Sequence, residues 1–172
     1  GLTPPYTLNE ADVIKIKVSH ELLNKKNKES NLKENPTATQ TSTGRTNTPK
    51  FAKPVEGKIV SKFGQPLPEG KNAGINISAN KGSKVMSVGA GKVIFSGNNK
   101  KFGNLVIIKL DEGDLYAAYA HLEDLIIQKG ATVSKGQMIG HVGQTGDAKS
   151  PQLHFAIREG KNAVDPLKYL NE

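Results

Sequence analysis

The chain has 172 residues, a formal net charge of +8 and no cysteine, which excludes disulfides, thiolate metal sites and a cysteine nucleophile. The charge is +3 over residues 1–50 and +5 over residues 51–172, so the basicity is not gathered in one arm. Only two arginines occur, and we expect no nucleic-acid partner. No apolar run of about 18 residues, the length of a membrane span, is present.

The first 50 residues divide into two segments that differ in apolar content. The alternation V-I-K-I-K-V at 13–18 predicts a short strand within residues 1–24. In residues 25–50, Leu32 is the only large apolar side chain. Such a segment cannot bury enough apolar surface to offset the entropy lost on ordering. We therefore predict a disordered, flexible linker over residues 25–50.

From Phe51 onward, short apolar runs alternate with glycine-containing turns, which is typical of an antiparallel β-sheet or β-sandwich. We predict helical turns only at 122–127 and 166–170. The fold class of residues 51–172 is thus predicted to be all-β. The strands are expected near 58–63, 73–78, 84–87, 91–96, 105–110, 115–119, 137–142 and 154–158.

Several phrases of this zone follow one family's order and spacing. They are P-V-E-G-K-I-V-S-K-F-G at 54–64, G-I-N-I-S at 74–78, F-G-N-L-V-I-I-K at 102–109, Y-A-H-L at 119–122, V-S-K-G-Q-M-I-G-H-V-G-Q-T-G at 133–146 and Q-L-H-F-A-I-R at 152–158. In these phrases the chain resembles the lysostaphin-type (LytM) zinc metallopeptidase domain. The resemblance implies that family's antiparallel β fold for residues 51–172.

In that family, zinc is held by the His and Asp of a His-x-x-x-Asp phrase and by the second His of a His-x-His phrase. The corresponding positions here are Asn72, Asn76 and His154. Two further family histidines assist the reaction, and their positions are His121 and Gln152. Neutral amides are poor zinc ligands, so the resemblance implies a site that lacks two of three ligands. We therefore predict no metal, no other cofactor and no catalytic residue.

The departures resemble those of the NlpD/EnvC-type amidase activators, a degenerate branch of the family. Those members usually keep the Asp where this chain has Asn76. The resemblance implies an inactive domain in the bacterial periplasm or cell envelope. Such a domain binds and activates a peptidoglycan (N-acetylmuramoyl-L-alanine) amidase during cell separation. The phrase G-L-T-P-P-Y-T-L-N-E-A-D-V-I-K-I at 1–16 resembles the end of a LysM wall-binding module. Residues 1–24 are therefore predicted to be a LysM remnant, and an outer-membrane lipid anchor upstream of Gly1 would fit this branch.

We expect the former zinc-site residues to line a groove, with Phe102 and Arg158 as candidate contacts for the partner. A planar guanidinium such as that of Arg158 suits a carboxylate, although a solvated strand-end charge is the alternative. His121 and His154 could equally be packed strand histidines. His141, in a glycine-rich turn, is expected to be an exposed loop residue.

Other functions stay open on the sequence alone. One is a peptidoglycan-binding module without an enzyme partner. Another is a residual zinc endopeptidase that combines His121 and His154 with a carboxylate such as Asp147. The phrase at 130–142 also resembles lipoyl and biotinyl carrier domains, but the Met-Lys pair that carriers modify is absent.

Overall fold

The computed structural model describes residues 50–171, and this part of the chain is all-β as predicted. The predicted LysM remnant and, except for Lys50, the predicted linker lie outside the described residues. Within residues 50–171 no helix is long and apolar enough to cross a membrane. A short 3-10 helix covers Pro166–Lys168. The strands are β1 (Lys58–Ser61), β2 (Pro66–Leu67), β3 (Gly70–Lys71), β4 (Ile75–Ser78), β5 (Lys84–Met86), β6 (Gly91–Asn99), β7 (Gly103–Leu110), β8 (Leu115–Leu122), β9 (Thr132–Val133), β10 (Met138–His141), β11 (Gln152–Glu159) and β12 (Asn162–Val164).

One 8-stranded sheet dominates the described residues, in the order β1-β4-β11-β8-β7-β6-β9, with β12 paired to β11. All of its strand pairs are antiparallel, which confirms the predicted sheet. The pairs β2–β3 and β5–β10 form two separate ribbons. The predicted strands match β1, β4–β8, β10 and β11. The strands β2, β3, β9 and β12 have only two or three residues, too few for an alternating pattern to be visible.

The side chains on the two faces of β11 differ in burial, because successive side chains of a strand point to opposite sides. Leu153, Phe155 and Ile157 are fully buried in the main core. Gln152 and His154 alternate with them and are only half-buried. The polar residues that precede and interrupt this strand's apolar pattern therefore lie on the face opposite the core.

The predicted helical turn at 122–127 is wrong. Leu122 ends strand β8, and the residues that follow form an irregular connection. Glu123 N donates to His141 O at 2.8 Å, and Asp124 Oδ1 accepts from His141 N at 3.0 Å. These contacts tie the start of the segment to β10. The predicted helical turn at 166–170 is confirmed as the 3-10 helix, in which Asp165 Oδ1 caps Leu167 N.

The expectation that His141 is an exposed loop residue is also wrong. It is the last residue of β10 and is half-buried. Its Nδ1 lies 2.9 Å from Asp124 Oδ2. The glycines on either side misled the sequence argument, because Gly140 and Gly143 are needed for close approach of the 122–124 backbone and not for a turn at His141.

Thr145 and Gly146 pack closely against residues 101–104 and Leu122, and we call this set of contacts the Thr145 junction. It attaches the turn between β6 and β7 to the end of β8. Thr145 Oγ1 accepts from Asn104 N at 3.0 Å and donates to Leu122 O at 2.7 Å. Gly103 has a φ of 63°, and a Cβ at this position would collide with Thr145 Oγ1. Gly146 in turn packs against the backbone of Lys101 and Gly103. The junction holds the 100–102 turn in place over the sheet.

Replacing Gly103 with Ala should destabilise the domain by at least about 3 kcal/mol, since the left-handed φ and the collision with Thr145 both oppose a side chain. Gly64→Ala is the matched control. Gly64 has a similar φ of 76° but no neighbour within 4 Å, so only the conformational cost of about 1 kcal/mol should appear. Urea denaturation of both variants measures the difference, and equal losses would contradict the account of the junction.

Candidate functional site

The predicted zinc-site positions converge in space. We use the name polar cluster for Asn72, Asn76, His121, Gln152 and His154. Asn72 precedes β4, and Asn76 on β4 lies directly opposite His154 on β11. His154 in turn lies opposite Ala120 on β8, the neighbour of His121. Three adjacent strands thus bring the polar cluster together on the sheet face opposite the core.

Hydrogen bonds link the three former ligand positions to one another. Asn72 Oδ1 accepts from Gly74 N at 3.2 Å, and this local contact turns the amide nitrogen toward the cluster. Asn72 Nδ2 then donates to Asn76 Oδ1 at 3.3 Å and to Ser61 Oγ at 3.0 Å. Asn76 Oδ1 also lies 2.8 Å from His154 Nδ1. Because an amide oxygen can only accept, we assign the proton of the His154 ring to Nδ1.

Gln152 ends this chain of hydrogen bonds. Asn76 Nδ2 donates to Gln152 Oε1 at 3.5 Å, the longest contact in the cluster. Asn76 therefore uses both halves of its amide, with the oxygen toward Asn72 and His154 and the nitrogen toward Gln152. The cluster is held together by neutral donors and acceptors.

His121 is held by its backbone as well as by its ring. Its φ is 63°, and among the described residues it is the only non-glycine residue with a positive φ. Residues with a side chain seldom adopt this conformation. Its N donates to Phe102 O at 2.8 Å, and its O accepts from Gly143 N at 3.1 Å. Its Nδ1 lies 2.8 Å from Thr145 O, and since a carbonyl only accepts, Nδ1 carries the proton.

Aromatic contacts cover His154. The Phe102 ring stacks on it with centroids 5.8 Å apart, and the His121 ring meets it edge-on at 6.2 Å. Burial, with smaller contributions from His121 and Lys101, lowers the pKa of His154 to about 4. Burial also lowers the pKa of His121, against an opposing effect of its hydrogen bond to Thr145. Both imidazoles are therefore neutral at pH 7.

Arg158 is the one predicted site residue that does not reach the polar cluster. It lies on the same face of β11 as His154 but four residues further along, roughly 14 Å away at the rise of a strand. It stands opposite Tyr116 of β8 and Ala163 of β12. Any role in binding a partner would therefore belong to a second part of that surface.

The chemistry of the cluster does not suit the zinc ion of the resembled family. Zinc requires carboxylate, thiolate or unprotonated imidazole donors. Asn72 presents an amide N–H and Asn76 an amide oxygen. Of the three former ligand positions, only His154 keeps a donor of this kind, through its unprotonated Nε2. Nowhere in residues 50–171 do three or more His, Cys, Asp or Glu side chains form a group that could hold a metal ion. What the arrangement can do is present fixed, uncharged hydrogen-bonding groups beside an aromatic ring.

Sequence reasoning missed the residues that position the cluster. Thr145 orients His121 through its carbonyl, and Ser61 accepts from Asn72. Lys101 is close enough for its charge to act on His154. Thr145 lies within the phrase V-G-Q-T-G at 142–146, which carries the resemblance, so its signal was present in the sequence. Nothing in the sequence marks Ser61 or Lys101.

The chain is similar in sequence to proteins of a known family. Residues 70–166 match the model of peptidase family M23. The chain is 34% identical over 178 residues to the lipoprotein YgeR of Escherichia coli (strain K12), which covers 99% of this chain and 69% of YgeR. It is 40% identical over 118 residues to the murein hydrolase activator NlpD of the same strain, which covers 68% of this chain and 30% of NlpD.

A solved structure supports the same fold. The catalytic domain of lysostaphin from Staphylococcus simulans, an antimicrobial peptidase, aligns with a TM-score of 0.61 and 28% identity. The alignment covers 65% of this chain and 90% of that domain. The chain thus spans nearly all of a peptidase domain, but only 30% of NlpD.

The lowered pKa of His154 predicts a pH dependence of stability. Between its ordinary value of 6.5 and the folded value of about 4, the unfolded chain binds a proton that the folded chain does not. The contribution to stability is therefore complete above pH 6.5 and is lost as the pH falls toward 4, by up to about 3 kcal/mol. Urea denaturation at several pH values should show a flatter profile for His154→Gln. Identical profiles would contradict the assignment.

Zinc affinity should depend on Asn72 and Asn76. We expect calorimetry to show no sub-micromolar zinc binding by the native chain. The double substitution Asn72→His and Asn76→Asp supplies two strong ligands beside His154 and should raise the affinity by orders of magnitude. Adding His154→Ala to that double variant should remove the gain. If the native chain binds zinc tightly and loses that binding on His154→Ala alone, the conclusion that the cluster does not suit zinc is wrong.

Proposed function

The chain belongs to peptidase family M23, and from that membership we propose that residues 50–171 bind and activate a peptidoglycan amidase without cutting peptidoglycan themselves. The observation that carries the proposal is the hydrogen-bond chain from Asn72 through Asn76 to His154. It joins the positions where family peptidases hold zinc. Two of those positions hold amides in place of zinc ligands, so such a surface is better suited to binding a partner than to activating a water.

The groups at the site do not favour hydrolysis. Hydrolysis by a zinc enzyme needs a metal-bound water and a base that can take its proton. Asn72 and Asn76 leave too few ligands to bind that metal. Gln152 does not titrate, and His154 is a weak base because burial lowers its pKa to about 4. The printed name of NlpD, a murein hydrolase activator, supports an activating role for this chain as well. The lipoprotein YgeR supports a location in the cell envelope.

Activation requires more than contact. A protein that binds two states of an amidase equally well shifts nothing, so the polar cluster must bind the active state more tightly. Phe102 is suited to this role because its half-buried ring already rests on His154 and its backbone carbonyl accepts from His121 N. Such a rigid aromatic anchor loses little entropy on binding. Arg158, further along the same face, is proposed as a second contact, with a partner carboxylate.

The first test is dye release from labelled peptidoglycan by a zinc-loaded periplasmic amidase of the same bacterium, with and without this protein. We expect release well above the sum of the two proteins alone. Phe102→Ala should reduce the stimulation by about 10-fold or more, as loss of an interface anchor does. Arg158→Glu should abolish it.

Leu167→Ala is the matched control, since Leu167 is an exposed apolar side chain on the 3-10 helix. It should activate like the native protein. Release no greater than the sum would overturn the proposal for that amidase and favour a peptidoglycan-binding module, which a pull-down with intact sacculi would detect. Dye release by this protein alone, with zinc present, would support the alternative hypothesis that it is a zinc endopeptidase.

A further inference from the structure

Two hairpin tips meet over the polar cluster. Glu69 lies in the turn between β2 and β3, and Lys101 lies in the turn between β6 and β7. Their side chains form an ion pair, with Lys101 Nζ 2.5 Å from Glu69 Oε2. The β2–β3 ribbon leads directly to Asn72, whereas Lys101 precedes Phe102, whose ring covers His154. The ion pair therefore links the segment that leads to Asn72 with the segment that leads to Phe102.

The same ion pair is open to solvent. The side chain of Lys101 is 55% exposed and that of Glu69 is 72% exposed. The hydrogen bond from Lys101, helped by its charge, lowers the pKa of the Glu69 carboxyl, so Glu69 is ionised at neutral pH. Exposed ion pairs of this kind contribute little to stability. One carboxylate on Lys101 can therefore be exchanged for another at little cost to the fold.

We propose that Glu69 occupies the place of a partner carboxylate, and that an Asp or Glu side chain of the amidase displaces it from Lys101 on docking. The inference rests on the proposed function and specifies the chemistry of the partner. The displaced ion pair opens the side of the cluster next to Phe102, so that the same partner segment can contact the Phe102 ring.

The charges of the region favour an acidic partner. The polar cluster is uncharged, because its amides are neutral and burial keeps both imidazoles unprotonated. Lys101 is the cation whose charge reaches His154. The whole chain carries +8, which attracts an acidic surface at long range. A partner carboxylate on Lys101 would also be better shielded from water than Glu69 is now, which strengthens the ion pair.

The test is direct binding of the zinc-loaded amidase to the immobilised 172-residue chain by interferometry, at several salt concentrations. Lys101→Gln should weaken the affinity about 10-fold and reduce its salt dependence, because the partner carboxylate loses its cation. Glu69→Gln should strengthen the affinity about 2- to 5-fold, because the competing carboxylate is gone. Lys92→Gln on β6 is the matched control, with the same change of charge at an exposed position, and should bind like the native protein.

The opposite effects of Glu69→Gln and Lys101→Gln are the decisive result. Equal losses in both variants would show that the intact ion pair acts as a structural clamp, which overturns the exchange of carboxylates. Native affinity in Lys101→Gln, with activation intact, overturns this inference alone. No binding and no activation by the native protein would overturn the proposed function and this inference with it. Thermal unfolding of each variant confirms that the fold is unchanged.

Discussion

The hydrogen bond between Asn76 Oδ1 and His154 Nδ1 is the contact on which the character of the site depends. It joins neighbouring strands on the face away from the core, at a point where each polar group needs a partner. In an M23 peptidase a cation would satisfy these positions. Here one amide oxygen accepts from both Asn72 and His154 and takes the place of that cation. The result is a site closed by the chain's own atoms.

Asn76 fits this set of neutral hydrogen bonds better than Asp would. A buried carboxylate beside Asn72 and His154 would need a positive partner, and it would favour protonation of His154. The neutral amide removes that requirement. It also supplies a nitrogen that donates to Gln152, which a carboxylate cannot do. The two asparagines and Gln152 therefore form one neutral hydrogen-bonded set.

Much of the fold could be predicted from the sequence because alternation of apolar residues and glycine turns is a local signal. Every strand of four or more residues among the described residues matches a strand predicted from the sequence. The helical turn at 122–127 was wrong because Glu123 and Asp124 are tied to β10, which is distant in sequence. The ribbon β2–β3 was missed because it is too short for periodicity.

The site was only partly predictable for the same reason. The residues of the polar cluster followed from the resemblance, whose phrases fix which strands lie side by side. The contacts of Thr145 with His121, and of Glu69 with Lys101, join residues 24 and 32 positions apart through turns. Loop contacts of this kind leave no periodic pattern. Arg158 shares the phrase at 152–158 with His154, and only the rise of a strand shows that the two are far apart.

The left-handed backbone of His121 has a consequence for how the domain can vary. A side chain in this conformation costs roughly 1–2 kcal/mol, which the surrounding contacts must offset. Glycine would be the relaxed choice, but it would lose the ring that meets both Thr145 and His154. Asparagine, aspartate and histidine are the polar residues that tolerate this backbone best. The position is thus narrowly limited in the residues it can accept, by geometry alone, even where no reaction depends on it.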